Sequence, residues 1–271
     1  MIVEFHVPSG LLGAYVNLMV YHEGYSPDHS VERFLPDGSV DLVIDLRDDP
    51  KYTYNDDLTV RSRHTGAWFS GIRTGFISIS SGRDSSMLVV NFKPFGAFPF
   101  VNVPLEEFMD QVVDAESVLG SEIRHLRDAL RNAADPAARF RMMEAWLMAR
   151  YCPPANGFDL TRGATLSILQ SPATSTIDRV TRLAGVSNKH LISVFRRYLG
   201  ITPKQFQRIM RFQAAIQAIE NAQEVNWTAI AYDCGFYDQS HFIQEFQRFS
   251  GFTPTDYVAA RGENLNYVPV A

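Results

Sequence analysis

The chain has 271 residues, of which 46% are hydrophobic and 20% charged, and its formal net charge at pH 7 is −5. This composition excludes a largely disordered chain, and the length favours two domains at about 150 residues each. Two cysteines are too few for a disulfide framework. No apolar run approaches the roughly 20 residues that a transmembrane helix needs, and the N-terminus lacks the layout of a signal peptide. We therefore expect a soluble, cytoplasmic protein with no membrane partner.

The first hundred residues favour short strands separated by turns. Turn signals such as Pro36-Asp37-Gly38 and Arg73-Thr74-Gly75 recur between apolar-rich runs. The runs predicted as strands are Ala14–Tyr21, Val40–Leu46, Ala67–Phe69, Phe76–Ile79 and Met87–Phe92. Because no helical periodicity lies between them, the pattern predicts a β-barrel or β-sandwich.

From Pro104 the periodicity is helical. Apolar residues at spacings of three and four predict helices over 121–133 and from 136 to the Cys152-Pro153-Pro154 stop. The apolar faces of these helices suit either packing on the chain's own barrel or pairing in a homodimer, and both possibilities remain open. The tail after Arg261 is expected to be loosely ordered.

Residues 184–206 and 234–257 are two copies of one pattern. Gly185 corresponds to Gly235, and after one extra residue Phe195 corresponds to Phe246. Each copy predicts a short helix (176–184 or 227–234), a glycine turn and a second helix with one apolar side, and a long helix over 203–222 joins the copies. This is the arrangement of a helix-turn-helix, whose second helix enters the major groove of DNA.

The predicted fold class is therefore α+β. A β-rich barrel or sandwich with trailing helices occupies 1–152, a linker 153–162, and an all-α tandem helix-turn-helix domain 163–262. The partner that this architecture predicts is double-stranded DNA.

The polar side of each second helix supplies the candidate DNA-binding residues. These are Asn188, Lys189, Ile192, Ser193, Arg196 and Arg197 in the first copy, and Gln239, Ser240, Ile243 and Gln244 in the second. The two isoleucines could contact thymine methyl groups or fill the core. The two arginines could bind phosphates or form an ordinary solvated surface.

The charge distribution differs between the two copies. Residues 175–211 contain eight basic residues against one acidic residue, a net of +7. Residues 224–257 contain one basic residue against five acidic residues, a net of −4. We therefore expect the first copy to make most of the contacts with the phosphate backbone.

The C-terminal 95 or so residues resemble the DNA-binding domain of AraC/XylS-type transcription regulators. Among the matching motifs are Leu183-Ala184-Gly185-Val186-Ser187, Gly200-Ile201-Thr202-Pro203, Gln239-Ser240-His241-Phe242 and Gly251-Phe252-Thr253-Pro254. The resemblance implies two helix-turn-helix units on consecutive major-groove segments. It puts Lys189, Ile192, Ser193, Ser240, Ile243 and Gln244 at base-reading positions, with Arg196 and Arg197 nearer the backbone. Thr181, where the family usually has alanine, and the acidic second copy depart from the family pattern.

The N-terminal half resembles the uncharacterised sensor domain found in many such regulators. The matching stretches are 35–43, 92–100 and 103–107. The resemblance implies effector sensing or dimerisation. The alternatives are a ligand- or metal-binding barrel, possibly enzymatic, with a vestigial DNA-binding domain, and an adaptor that recruits another protein.

Little in the sequence favours the enzymatic alternative. His22-Glu23 with His64 is the one candidate metal set, and its spacing fits no ligand pattern. We therefore predict no catalytic residues, metal or cofactor. The aromatic residues of the first hundred positions could line a ligand pocket or form the barrel core.

Overall fold

The N-terminal half of the computed structural model, which describes residues 1–262 and 265–270, contains two antiparallel β-sheets. With strands numbered in chain order, the first sheet has the order β1-β2-β9-β4-β7-β10. Its strands are β1 (Ile2–His6), β2 (Val16–Tyr25), β4 (Val40–Asp45), β7 (Ala67–Ser70), β9 (Ser85–Phe92) and β10 (Val112–Asp114). The second sheet has the order β11-β3-β8-β5-β6. Its strands are β3 (Val31–Phe34), β5 (Lys51–Tyr54), β6 (Val60–His64), β8 (Ile77–Ser80) and β11 (Tyr267–Pro269).

The helices follow, apart from the short α1 (Gly10–Gly13). After β9 come α2 (Phe98–Val101), a 3-10 helix (Leu105–Phe108), α3 (Ala115–Leu119), α4 (Glu122–Arg131) and α5 (Pro136–Arg150). The C-terminal helices are α6 (Phe158–Gln170), α7 (Ile177–Ala184), α8 (Asn188–Leu199), α9 (Pro203–Asn221), α10 (Trp227–Asp233), α11 (Gln239–Ser250) and α12 (Pro254–Ala260). This confirms the predicted α+β class. No helix of residues 1–262 is long and apolar enough to cross a membrane.

The two faces of the first sheet differ in burial. On one face Leu42, Val90 and Phe92 are at most 1% exposed in the core shared with the helices. On the other face, Val20, Val43 and Val89 lie side by side in register and are only half-buried. This second face lies on the side of the second sheet, because Trp68 shares a row with Val43 and its ring lies 6.1 Å from that of His64 on β6. We call the space between the two sheets the interior chamber.

The aromatic residues of the N-terminal half mostly form core. Tyr21, Phe69, Phe92 and Phe100 are at most 4% exposed within the main hydrophobic cluster. Trp68 is an exception, because it shares a cross-strand row with Val43 and its ring lies 6.1 Å from that of His64 on the second sheet. Composition left open whether these rings line a ligand pocket or form the core, and the structure places most of them in the core.

The trailing helices pack on the chain's own sheet. Ile123 and Leu130 on α4, and Met143 and Leu147 on α5, are at most 2% exposed in the same core. These faces are therefore occupied and do not support a homodimer. Helix α6 begins at Phe158 and so includes the last residues of the predicted linker.

The expectation of a loosely ordered tail is wrong for the described residues after Arg261. Strand β11 pairs with β3, where Tyr267 is opposite Phe34 and Pro269 opposite Glu32. Val268 is fully buried, and its burial stabilises the paired tail. The composition of the tail gives no sign of this contact. Glu263, Asn264 and Ala271, which belong to that expectation, lie outside the described residues.

The two halves of the chain are in contact at several places. The rings of Phe98 and Tyr198 lie 4.6 Å apart in an edge-to-face arrangement. Gln213 on α9 donates a 2.7 Å hydrogen bond to the carbonyl of Pro36. The C-terminal helices are therefore attached to the N-terminal half through α8, α9 and strand β11 of the tail.

Candidate DNA interface

The first helix-turn-helix unit consists of α7 and α8. The hydroxyl of Thr176 caps α7 by accepting a hydrogen bond from the Arg179 N–H at 3.2 Å, and Ser187 caps α8 through the His190 N–H at 3.2 Å. Gly185 joins the helices with φ of +65°, a conformation that costs glycine little. The predicted short helix and glycine turn are therefore confirmed.

The second unit, α10 and α11, has the same local frame. Asn226 caps α10 through the Ala229 N–H at 3.0 Å, and Asp238 caps α11 through the His241 N–H at 2.8 Å. Gly235 has φ of +78°, and a Cβ there would lie 2.9 Å from the backbone of Ala173. Glycine is therefore required at this turn both by its backbone conformation and by the available space.

A common core holds the two units together. Phe195 on α8 and Phe246 on α11 are fully buried. The ring of Phe212, in the middle of α9, lies 5.1 Å from the rings of both Phe246 and Phe249. Helix α9 is therefore the shared wall against which both units pack, and it fixes their separation.

The structure places most of the predicted first-unit residues at the surface. Asn188, Lys189, Ser193, Arg196 and Arg197 are exposed, and Ile192 is half-buried. The Asn188 amide donates to Asp178 on α7 at 3.4 Å. The Arg197 guanidinium lies 5.7 Å from the Phe98 ring centroid, so this side chain also reaches toward the N-terminal half.

The second-unit residues have equivalent positions. Gln239, Ser240 and Gln244 are exposed, whereas Ile243 is half-buried and packs against the core. The Thr228 hydroxyl donates to the Gln239 side chain at 3.0 Å, so the first residue of α11, like Asn188 on α8, is tied to the preceding helix. Because Ile192 and Ile243 are both half-buried, their positions are compatible with thymine contact as well as with core packing.

Two arginines of the basic cluster have internal roles that sequence reasoning missed. Arg208 on α9 makes two 2.6 Å hydrogen bonds to Glu245 on α11. Burial raises the pKa of Glu245, but the bonds and charge of Arg208 outweigh that effect and hold the pKa below its ordinary value. Arg211 donates to the carbonyls of Pro172 and Ala173.

The charge contrast between the units is therefore smaller at the surface than in the sequence. The six exposed cations that remain in 175–211 are Arg179, Arg182, Lys189, Arg196, Arg197 and Lys204. In the second unit, Glu245 is neutralised by Arg208, while Asp238 caps α11 and Asp256 bonds the Thr253 hydroxyl at 2.6 Å. The first unit still carries the more cationic surface.

The departure from the family pattern at Thr181 is accommodated locally. Its side chain is buried, and its hydroxyl donates to the carbonyls of Ile177 and Asp178 at 3.1 and 3.2 Å. Such bonds to the preceding turn satisfy the hydroxyl without a partner from another helix. The threonine therefore fits in α7 at little cost.

The interior chamber contains polar groups with unused hydrogen-bonding capacity. His22, Met87 and Asp45 form one cross-strand row, and neither His22 Nδ1 nor Asp45 Oδ2 has a partner in the described structure. Burial lowers the pKa of His22 and raises that of Asp45. Farther along the same face, burial raises the pKa of Asp41, which accepts a hydrogen bond from Asn91, to about 7.

The candidate metal set is not assembled as a cluster. His22 lies on β2 and His64 on β6, where His64 bonds the Ser62 hydroxyl at 2.7 Å. Across residues 1–262 and 265–270, no three His, Cys, Asp or Glu side chains are grouped so that they could hold a metal ion.

Comparisons with known proteins divide the chain in the same way. Residues 180–260 match a family model described as a helix-turn-helix domain, and residues 4–114 match one described as a domain of unknown function, DUF6597. An uncharacterised HTH-type transcriptional regulator of Haemophilus influenzae is 28% identical over 95 residues, which are 35% of this chain and 32% of that protein. The probable transcriptional regulator LumQ of Photobacterium leiognathi is 32% identical over 82 residues, 30% of this chain and 33% of LumQ. The matches thus span about a third of these relatives.

Solved structures give a likeness of the same kind. ToxT of Vibrio cholerae aligns with 89% of this chain and 97% of its own at 10% identity and a TM-score of 0.47. A probable AraC family transcriptional regulator of Rhodopseudomonas palustris aligns with 37% of this chain and 95% of its own at 26% identity and a TM-score of 0.35. The family matches therefore identify residues 180–260 as a helix-turn-helix domain and residues 4–114 as a domain of unknown function, and the motifs and capped tandem units of the first resemble those of AraC/XylS-type regulators.

Proposed function

We propose that this protein is a sequence-specific transcription regulator that binds two successive major-groove segments of double-stranded DNA. The observation that carries the proposal is the pair of recognition helices, α8 and α11, which share a core with α9 and expose the polar residues of their early turns. A major groove admits one such helix, and side chains on its first turns reach base edges. As a DNA-binding regulator, it would act in the cytoplasm with the genome.

Within this proposal the first unit supplies most phosphate contacts. Lys189 and Arg196 are exposed on α8, whereas the exposed residues of α11 include the uncharged Gln239, Ser240 and Gln244. Contacts of Lys and Arg with phosphates dominate affinity and make it salt-dependent, whereas base contacts give specificity. We therefore assign affinity mainly to α8 and a larger share of sequence reading to α11. No catalytic residue, metal or cofactor is part of the proposed mechanism.

The test is selection of DNA by the purified full-length protein. Genomic fragments and random duplexes are captured at about 150 mM salt and sequenced. The proposal expects an enriched site with two short motifs, and loss of enrichment for the Lys189→Ala, Arg196→Ala double variant but not for Arg83→Ala, an exposed arginine of the N-terminal half. Binding that is equal for all sequences would instead support the alternative of a vestigial DNA-binding domain.

We also propose that the N-terminal domain senses a small polar effector in the interior chamber. The support is a pair of buried atoms, Asp45 Oδ2 and His22 Nδ1, which lie in one cross-strand row of the first sheet and have no hydrogen-bond partner in the described structure. Buried polar atoms are normally hydrogen-bonded, so unsatisfied ones are candidates for ligand contact. An effector that binds one arrangement of the domains better than another would shift the population able to hold DNA. A homodimer is not required, because two units in one chain already reach two segments.

The effector proposal is tested by thermal shift with a library of small polar metabolites. A true ligand should raise the melting temperature of the wild type and fail to do so for Asp45→Asn or His22→Phe. The Arg83→Ala variant serves as the control. A ligand that stabilises all three variants equally binds elsewhere, and the chamber would not be its site.

A further inference from the structure

Strand β3 of the N-terminal domain contacts the second recognition helix through one side chain. Arg33 is 7% exposed, and its guanidinium lies 3.9 Å from the ring centroid of Phe76 and 4.8 Å from that of Phe252. Its Nη1 donates a 3.3 Å hydrogen bond to the carbonyl of Ser250. Phe76 belongs to the N-terminal half, and both Ser250 and Phe252 to the second helix-turn-helix unit. A single cation therefore joins the two domains at this point.

The contact matters because Ser250 lies at the C-terminal end of α11. Ser250 is the last residue of α11, and the last carbonyls of a helix have no partner within the helix. They also carry the negative end of the helix dipole, which a nearby cation stabilises. Arg33 thus completes the C-terminal end of the second recognition helix from outside its own domain, and the two flanking rings fix the plane of the guanidinium.

Glu32, the residue before Arg33 on β3, points to the opposite face of the strand. Glu32 is 7% exposed and accepts a 2.6 Å hydrogen bond from Tyr25, the last residue of β2. The hydroxyl of Tyr267 on β11 lies 2.9 Å from that of Tyr25 and 2.6 Å from His29 Nε2. Adjacent residues of a strand point to opposite faces, so β3 is held to β2 and β11 through Glu32 on one face and to the second helix-turn-helix unit through Arg33 on the other.

The first unit has no part in this contact. Its recognition helix α8 meets the N-terminal half through Tyr198 against Phe98, and Gly200 at its C-cap approaches the carbonyl of Leu105. The N-terminal domain therefore holds α8 and α11 through different elements. Of these two recognition helices, α11 is the one whose C-terminal carbonyl accepts a hydrogen bond from a side chain of β3 in the described structure.

We infer that Arg33 is a positioning residue for the second recognition helix, through which the N-terminal domain sets how α11 meets its DNA segment. The inference rests on the proposed function. Arg33 touches no base or phosphate in this account. It acts by fixing the C-terminal end of α11, and so the direction in which Gln239, Ser240 and Gln244 project.

The test uses the duplex that wild-type protein selects, together with two copies in which either the first or the second segment is scrambled. Affinities for the three duplexes are measured by fluorescence anisotropy for the wild type, Arg33→Ala, Arg33→Lys and the control Arg83→Ala. We expect Arg33→Ala to lose roughly fivefold or more of the preference for an intact second segment and to keep the preference for the first. Arg33→Lys keeps the charge but loses the planar stacking, so its preference for an intact second segment should lie between those of the wild type and Arg33→Ala.

Two results of these affinity measurements would overturn the inference. Equal loss of preference at both segments would show a general structural role, and no loss at either would show that Arg33 does not position α11; both overturn the inference. Should Arg33→Ala fail to fold, Phe252→Leu removes one of the stacked rings with little change in buried volume and must produce the same selective loss. If the wild type selects no site at all, the proposed function fails instead.

Discussion

The two helix-turn-helix units have the same frame but hold their charges differently. Each has a capped first helix, a glycine turn and a fully buried phenylalanine on the second helix. In the first unit the cations Lys189, Arg196 and Arg197 are exposed on α8. In the second, Glu245 is neutralised by Arg208, and the α11 cap is an acidic residue, Asp238.

The difference shows why formal charge is a poor guide to a binding surface. Residues 175–211 carry a net charge of +7, but Arg208 and Arg211 donate hydrogen bonds to partners inside the domain. Residues 224–257 carry a net of −4, but the charge of Glu245 is paired with Arg208, which leaves Asp238 and Asp256 among the exposed acidic residues. Substitutions at three sites test how far the remaining surface difference divides DNA binding between the two units, and they follow from the largest expected effect to the smallest.

Removal of Arg208 should have the largest effect, on the stability of the second unit. Arg208→Ala leaves the Glu245 carboxylate, whose side chain is 14% exposed, without its bidentate partner. We expect the free energy of unfolding to fall by roughly 2–4 kcal/mol, measured by chemical denaturation. Because the folded-state pKa of Glu245 is lowered, the stabilisation is present above the ordinary pKa and is lost as pH falls through the folded pKa.

A matched double variant separates charge from packing at this pair. Arg208→Met with Glu245→Leu replaces the ion pair by apolar groups and should recover most of the lost stability. The exposed Arg248→Ala on α11 serves as the control and should change stability by less than about 0.5 kcal/mol. A loss as large for Arg248→Ala as for Arg208→Ala would contradict the internal role of Arg208.

Exchange of one residue between the units tests the division of phosphate binding. Arg196 on α8 corresponds to Gln247 on α11, and both are exposed. Arg196→Gln should weaken binding to every duplex by roughly fivefold and reduce the slope of log K against log salt by about one, as for loss of one phosphate contact. Gln247→Arg should strengthen binding and raise the slope. Identical slopes in all three proteins would show that neither position faces the backbone.

Loss of Gln244 should have the smallest effect, confined to sequence discrimination. Gln244 is exposed on α11 and uncharged, so Gln244→Ala should cost about 0.5 kcal/mol on the selected duplex, roughly twofold in affinity, and leave the salt slope unchanged. Competition between the intact duplex and one scrambled in the second segment measures this cost. A cost greater than that of Arg196→Gln would make the second unit the anchor.

The C-terminal domain could be predicted closely from sequence because its signals are local. The two turn glycines have the predicted role in the structure, and the helix caps Thr176 and Asn226 likewise act within a few residues. The Arg208–Glu245 pair joins residues 37 positions apart, and no local pattern distinguishes such an arginine from one that faces DNA.

The N-terminal domain was predicted less completely for a related reason. The runs predicted as strands all overlap observed ones, but β1, β3, β5, β6 and β10 were missed. Among these, Val31-Glu32-Arg33-Phe34 and Val60-Arg61-Ser62-Arg63-His64 have polar residues at half or more of their positions. Their polar residues face the chamber, the neighbouring domain or solvent, so they lack the apolar runs of core strands. Strand β11 pairs with β3 across more than 230 residues, and only the tertiary structure shows that partner.

Hydroxyl-radical footprinting of the full-length protein on its selected duplex tests the central claim most directly. Two recognition helices on one shared core should protect two segments on the same side of the duplex, about one helical turn or 10 base pairs apart. Substitution of α11 residues, as in Gln239→Ala with Gln244→Ala, should weaken protection of one segment only. Protection of a single segment, unaffected by changes in α11, would contradict the reading of DNA by both units.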